Sequence, residues 1–308
     1  MKRLNLFVAL IALAAGFGVA ACSGPTPPSP VVVTPPVVDP GPVVNNTPPV
    51  VGAFTVQGTR TKEPANFADV SESVPVTVQV TDSESNPNDL KYNWSATLGT
   101  FSGTGRSVTW KAPAIVDGPT EVTLNLEVVE TYTSQGKSID NKPTGSVKLW
   151  LHDSIKEVGD MSRQFLLDFS DSSIPTATVM RNFGTDASCY GTEAETSDVA
   201  KNRTDFEIKT WTVDPPTTSV NFGGSCPIPT RNPAPGDACS RVHTDWHSVA
   251  RRDLDGLAKG ESSDAHGVDY IAALYYPSPQ NKWKLCDSQY IGDASMSLRA
   301  RLLPSLVP

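Results

Sequence analysis

The chain has 308 residues, with 33 acidic against 25 basic side chains and a net charge of −8. That balance excludes the basic surface that nucleic acid requires for counterion release, and it fits poorly with peripheral binding to anionic lipid heads. Behind an apolar leader and a proline tract, more residues remain than one hydrophobic core usually covers, so two domains are expected.

Lys2 and Arg3 open the chain, and Leu4 to Ala21 carry no charge and one polar side chain, Asn5. Small residues fill the end of this run: Gly16, Gly18, Ala20 and Ala21. A basic start, an apolar middle and a small-residue end are the pattern of a secretory signal over residues 1–21. The next charge is Asp39, so the Lys or Arg that normally follows a stop-transfer helix is missing. Val19-Ala20-Ala21-Cys22 resembles the lipobox of bacterial lipoproteins. The resemblance implies a diacylglycerol on the Cys22 sulfur, cleavage before it and acylation of the freed amine. Several acyl chains anchor stably where one holds only marginally. Ser23 behind the cysteine implies an outer-membrane destination by the same resemblance. Loss of Lys2 and Arg3 with the leader takes the net charge from −8 to −10.

Residues 22–50 hold ten prolines and one charge, Asp39. Repeated proline favours polyproline II, which makes this stretch a semi-rigid stalk. The alternative is a Pro-rich ligand for a partner domain.

Residues 51–152 are dominated by alternation. "VPVTVQVTD" puts Val74, Val76, Val78 and Val80 on one strand face, and "EVTLNLEVVE" repeats the pattern at Val122, Leu124, Leu126 and Val128. "KYNWSATLG", "SVTWKAP" and "GSVKLWLHD" add further strands, separated by Gly, Pro, Asn and Asp. Short strands over about 100 residues argue for an antiparallel β-sandwich. The stretch "VQVTDSESNPNDLKYNWSATLGTFSGTGRSVTWKAPA" resembles immunoglobulin-like modules of bacterial envelope proteins, of the PKD and cadherin-like type. That resemblance implies Trp94 as the core tryptophan between the sheets and Trp110 near the domain edge. Where such modules often carry an Asp, this chain has Glu130, followed by an atypical loop, "TYTSQGKSIDNKPTG". The acidic turn offers hard oxygen ligands of the kind calcium takes, with Asp82, Glu84 and Asp89 as the carboxylates. It lacks the EF-hand glycine and distal glutamate, and the alternative is a solvated turn with Asx hydrogen bonds. Calcium is the one cofactor that the sequence suggests.

Residues 153–308 read as β-rich, a sandwich or jelly roll with short helices. "MSRQFLLDFSDSS", "PTATVMRNF", "FEIKTWTV", "TSVNFGG", "GVDYIAALYYP" and "SMSLRARLLP" are the expected strands. Asp198–Asp205 and Trp246–Leu257 are the expected helices. Leaving out Cys22, four cysteines remain, which in an exported chain read as two disulfides. Of the three possible pairings, the favoured one has Cys226 with Cys239 stapling a proline-rich loop and Cys189 with Cys286 closing most of the domain. Zinc is the rival use, but no C-x-x-C is present.

His243 and His247 are four apart, which on a helix puts both on one face. With Asp245 between them they form an H-x-x-x-H zinc pair. A third ligand would come from His266, Glu261 or Asp264, and the general base of an H-E-x-x-H motif is missing. The plain alternative is ordinary surface histidines. No G-x-S-x-G is present, and "GESSDAHG" reads as a polar loop. Carboxylate pairs such as Glu193 with Glu195, or Asp168 with Asp171, are unremarkable in a chain this acidic. Trp211, Trp246 and Trp283 are candidates for stacking on sugar rings or anchoring a protein.

The expected function is therefore a lipid-anchored, non-enzymatic binding or adhesion protein for a glycan or envelope protein. The alternatives are an exported hydrolase with its site in the C-terminal part and a purely structural envelope component. Cys22→Ser is expected to abolish metabolic labelling by an alkyne palmitate and release the chain from the outer-membrane fraction. A labelled, sedimenting Cys22→Ser chain would contradict the anchor.

Overall fold

The computed structural model describes residues 39, 41–60, 63–189, 191–213, 220–223, 226–228 and 238–292. The leader, Cys22, most of the proline tract and the expected strand at 295–304 lie outside them. Contacts divide the chain into Met1–Gly41 and Pro42–Pro308, and every element below belongs to the second unit. Its class is mainly β, as the alternation predicts, with two disulfides.

Nine strands come first: β1 (Val50–Val56), β2 (Phe67–Asp69), β3 (Ser73–Thr81), β4 (Lys91–Ala96), β5 (Thr100–Ser102), β6 (Ser107–Lys111), β7 (Thr120–Ser134), β8 (Lys137–Asn141) and β9 (Thr144–His152). They form two sheets, ordered β1-β3-β6-β5 and β2-β9-β7-β4, with β8 paired to β7. Val74, Val76, Val108 and Trp110 of the first sheet share a core with Val122, Leu124, Leu149 and Leu151 of the second.

Trp94 on β4 packs across the sandwich against Phe54 of β1 and Phe101 of β5, and Trp110, expected near the domain edge, lies deepest in the core. Trp110 is fully buried and donates its indole N–H to Leu98 O at 3.0 Å, whereas Trp94 is only half-buried. The sheet order gives the reason: β6 lies between β3 and β5, while β4 is the last strand of its sheet. The atypical loop after Glu130 is a hairpin, in which β7 continues to Ser134 and β8 returns from Lys137. Residues 42–49, assigned to the stalk by sequence, dock on this hairpin. Pro42 O accepts from Gln135 N, Val44 N donates to Ser134 Oγ, and Asn46 Nδ2 donates to Glu130.

One residue, Asp153, separates β9 from α1 (Ser154–Ser170) and caps it, accepting from Lys156 N at 3.1 Å. Val158, Phe165 and Leu166 are buried on α1, with Met161 and Phe169 partly so. That spacing is helical, so "MSRQFLLDFSDSS" is mostly helix rather than strand. "PTATVMRNF" is likewise α2 (Thr176–Val179) and a 3₁₀ turn, Met180–Asn182. Then come α3 (Thr192–Asp205), β10 (Phe206–Val213), β11 (Val220–Phe222), β12 (Ala238–Ala250), β13 (Ser262–Tyr276) and β14 (Lys282–Gly292). These strands make one antiparallel sheet, β10-β12-β13-β14, with β11 on β12. The expected helix at Trp246–Leu257 is absent, because β12 runs through Trp246 to Ala250. The polar loop "GESSDAHG" is mostly the first half of β13.

Val158, Phe165, Leu166, Val179 and Val199 of the helices pack on Val213, Val242, Ile271 and Leu285 of the sheet. The helices thus cover one sheet face. The sandwich and this helix-covered sheet meet at a packed junction. His152 is fully buried, stacks on Phe67 at 4.9 Å, and lies 3.0 Å from Glu157 and 3.2 Å from the Tyr275 hydroxyl. Ser154 N donates to Asp69 at 2.9 Å, and the Arg60 guanidinium lies 4.4 Å from the Phe222 ring centre.

Trp110→Ala is expected to cost about 3–5 kcal/mol, and Trp94→Ala about half that, because only Trp110 leaves a closed cavity. Urea unfolding midpoints measure both, and equal losses would contradict this core assignment.

Candidate functional site

Between the helices and the sheet lies a cavity of about 320 Å³. One part of its wall is aromatic. Trp211 on β10 and Trp246 on β12 stand directly opposite each other in the strand pairing and stack with ring centres 5.8 Å apart and planes 18° from parallel. Phe169, Phe206 and Tyr290 lie around them, with ring centres 5.5–6.5 Å from one tryptophan or the other. The Trp211 indole N–H is buried and has no hydrogen-bond partner. Leaving a buried donor unsatisfied costs on the order of 1–3 kcal/mol.

Another part of the lining is acidic. Glu195 and Asp198 come from α3, Asp269 from β13 and Asp287 from β14. Glu195 lies four residues before the buried Val199, so a carboxylate occupies the helix stripe that normally carries apolar residues. α3 is held against β14 by the Cys189–Cys286 disulfide, with Cα atoms 4.7 Å apart. The approach is so close that a Cβ at Gly191 would lie 2.5 Å from the Asp287 carboxyl carbon. Burial pushes the Glu195 carboxyl up to about 8, and the charges of Asp287, Asp198 and Asp269 add to the rise. The Ser288 hydroxyl, donating to it at 2.7 Å, opposes it. Burial also raises Asp269 to about 6, against the hydroxyl of Thr244 at 2.7 Å. At neutral pH the cavity therefore presents a protonated Glu195, a proton donor, among acceptor carboxylates.

Trp211 and Trp246 come together in this wall, Trp246 buried and Trp211 half-buried against the helix–sheet core. Trp283 does not: it is 2% exposed in the helix–sheet core, and its N–H donates to Ser154 Oγ at 2.9 Å. Asp82, Glu84 and Asp89 do not gather. Asp82 Oδ1 accepts from the backbone N–H of Glu84 and Ser85, and the Glu84 carboxylate accepts from Ser83 and Thr47. Among the described residues, one group of three or more His, Cys, Asp or Glu side chains brings its ligand atoms together, and it lies elsewhere. His243 and His247 sit on β12, not on a helix, and face away from the cavity. Cys226 and Cys239 are bonded to each other, Cα atoms 5.5 Å apart, which ties the 226–228 segment to β12. Asp168 is buried on α1 and paired with Arg181, and it is not among the residues that line the cavity.

Sequence reasoning set Glu195 aside as unremarkable and did not single out Asp269. The available signal was positional: an acid in a helical apolar stripe, and an acid inside the run "GVDYIAAL". Comparison with known protein families, curated proteins and solved structures finds no match to this chain.

Between the ordinary carboxylate range, 4.5 for Glu195, and about 8, the folded chain keeps a proton that the unfolded chain releases. Stability conferred by that proton is present below the unfolded pKa and is lost as pH rises through this window. Glu195→Gln is expected to flatten the decline and to raise stability at pH 8 by on the order of 2 kcal/mol. Chemical unfolding at pH 5 and pH 8 reads the effect, and an unchanged difference between the two would contradict it.

Proposed function

We propose that this chain is an outer-membrane lipoprotein whose helix-covered sheet binds a neutral sugar unit of an envelope glycan. The carrying observation is the Trp211 indole N–H, a buried donor without a partner in the wall of an aromatic and acidic cavity. A sugar matches both parts of the lining. Its C–H face lies on tryptophan, and its hydroxyls pair with carboxylates and with the indole N–H. The negative charge of the acidic wall selects against anionic ligands. The lipobox resemblance at Cys22 supports the anchor, and the proline tract supports display at a distance from the membrane.

The test is calorimetry on the full chain in detergent, with N-acetylated disaccharides released from peptidoglycan and, separately, phosphorylated lipopolysaccharide core oligosaccharides. The neutral sugar is expected to saturate, and the phosphorylated one to bind far more weakly. Trp246→Ala should weaken the neutral sugar by about tenfold or more, the equivalent of about 1.4 kcal/mol. If no neutral oligosaccharide saturates, or Trp246→Ala binds as tightly as the parent chain, the proposal fails.

One observation favours a second reading, glycoside hydrolysis at the same site. Glu195 is held protonated beside ionisable carboxylates, and an acid with a carboxylate partner is the equipment of that reaction. Product release that disappears in Glu195→Gln while binding persists would select hydrolysis. Binding without turnover selects the non-enzymatic reading.

A further inference from the structure

We infer that the outer face of the same sheet carries a zinc site built from His243, Asp245 and His266. In β12 the even-numbered residues Val242, Thr244, Trp246 and Ser248 are buried toward the helices, so the odd-numbered ones face the other way. Asp245 pairs directly with His266 across the β12–β13 ladder, and His243 lies one pleat further along the same face. The cross-strand register thus brings together Asp245 and His266, which the sequence leaves 21 residues apart. His266 Nδ1 is hydrogen-bonded to Asp245 Oδ1, and the His243 and His266 rings have centres 4.7 Å apart. Each of the three offers one ligand atom within 4.8 Å of the other two. This set differs from the His243–His247 pair suggested by an i, i+4 spacing. His247 is instead bonded to Asp264 at 2.6 Å.

The donor chemistry selects the metal class. Two imidazoles and one carboxylate suit zinc and its transition-metal neighbours, whereas calcium takes six to eight oxygens. Three protein donors leave a fourth tetrahedral position open. His243 and His266 are partly exposed and Asp245 is exposed. Bound zinc clamps β12 to β13 on the face opposite Trp246. The inference is independent of the sugar-binding reading, because its ligands point away from the cavity.

The test is a zinc titration of the full chain, stripped with a chelator and carrying no histidine tag. One zinc per chain is expected. His243→Ala and His266→Ala should each weaken it at least tenfold, on the order seen when metal-site residues are lost, with His247→Ala leaving affinity within about twofold of the parent. Cobalt added to the unaltered chain should give the intense visible absorption of a four-coordinate ion, a reading that needs no variant to fold. Cobalt with only the weak six-coordinate spectrum overturns the site. So does zinc binding no tighter than that of a His243→Ala/His266→Ala double variant, or an equal loss in His247→Ala.

Discussion

The register between β12 and β13 is the constraint on which the C-terminal half depends. The ladder runs without a break from Ala238 opposite Ala273 to Val249 opposite Ser262. Because side chains alternate, this one alignment sets two surfaces. It turns Trp246, Thr244 and Asp269 inward to the cavity, and His243, Asp245 and His266 outward. A slip by one residue would reverse both faces. The Cys226–Cys239 bond fixes one end of β12, and the Cys189–Cys286 bond fixes α3 on β14, the other side of the same wall.

Burying carboxylates at that wall is costly, since a charge removed from water must be neutralised, paired or hydrogen-bonded. Glu195 is met by a raised pKa and by one hydroxyl donor, and Asp269 by the hydroxyl of Thr244. Two buried acids elsewhere in the chain are treated differently. Asp205 is paired with Lys201 and Arg252, and Glu130 accepts from Asn46, Ser85 and Asn141, which hold both carboxyls below the usual range against the effect of burial.

How far the sequence could be read depended on the range of the interaction. Strand alternation at Val74–Val80 and Val122–Val128 is local, and the structure follows it. The helical stripe of α1 is local too, but "QFLLDF" alone fits either period, and only the wider spacing from Val158 to Phe169 decides it. The places of Trp94 and Trp110 depend on which strand closes a sheet, a long-range fact invisible to each motif. The same holds for the histidines. Residues four apart share a face on a helix and on a strand alike, so the pair looked plausible while its partners, Asp245 and His266, were set by pairing across strands. The cavity needed two helices, four strands and a disulfide to converge, and the acids at 195 and 269 betrayed it only by standing where apolar side chains belong.

The most direct measurement is the indole N–H spectrum of the full chain during titration with an N-acetylated disaccharide. The chain has six tryptophans, and three indoles already donate within the fold: Trp94 to Gly105 O, Trp110 to Leu98 O and Trp283 to Ser154 Oγ. A sugar bound in the cavity must shift the Trp211 resonance saturably, as its unpartnered N–H gains an acceptor, while those three stay in place. A Trp211 resonance that does not move as the sugar is added would contradict the account.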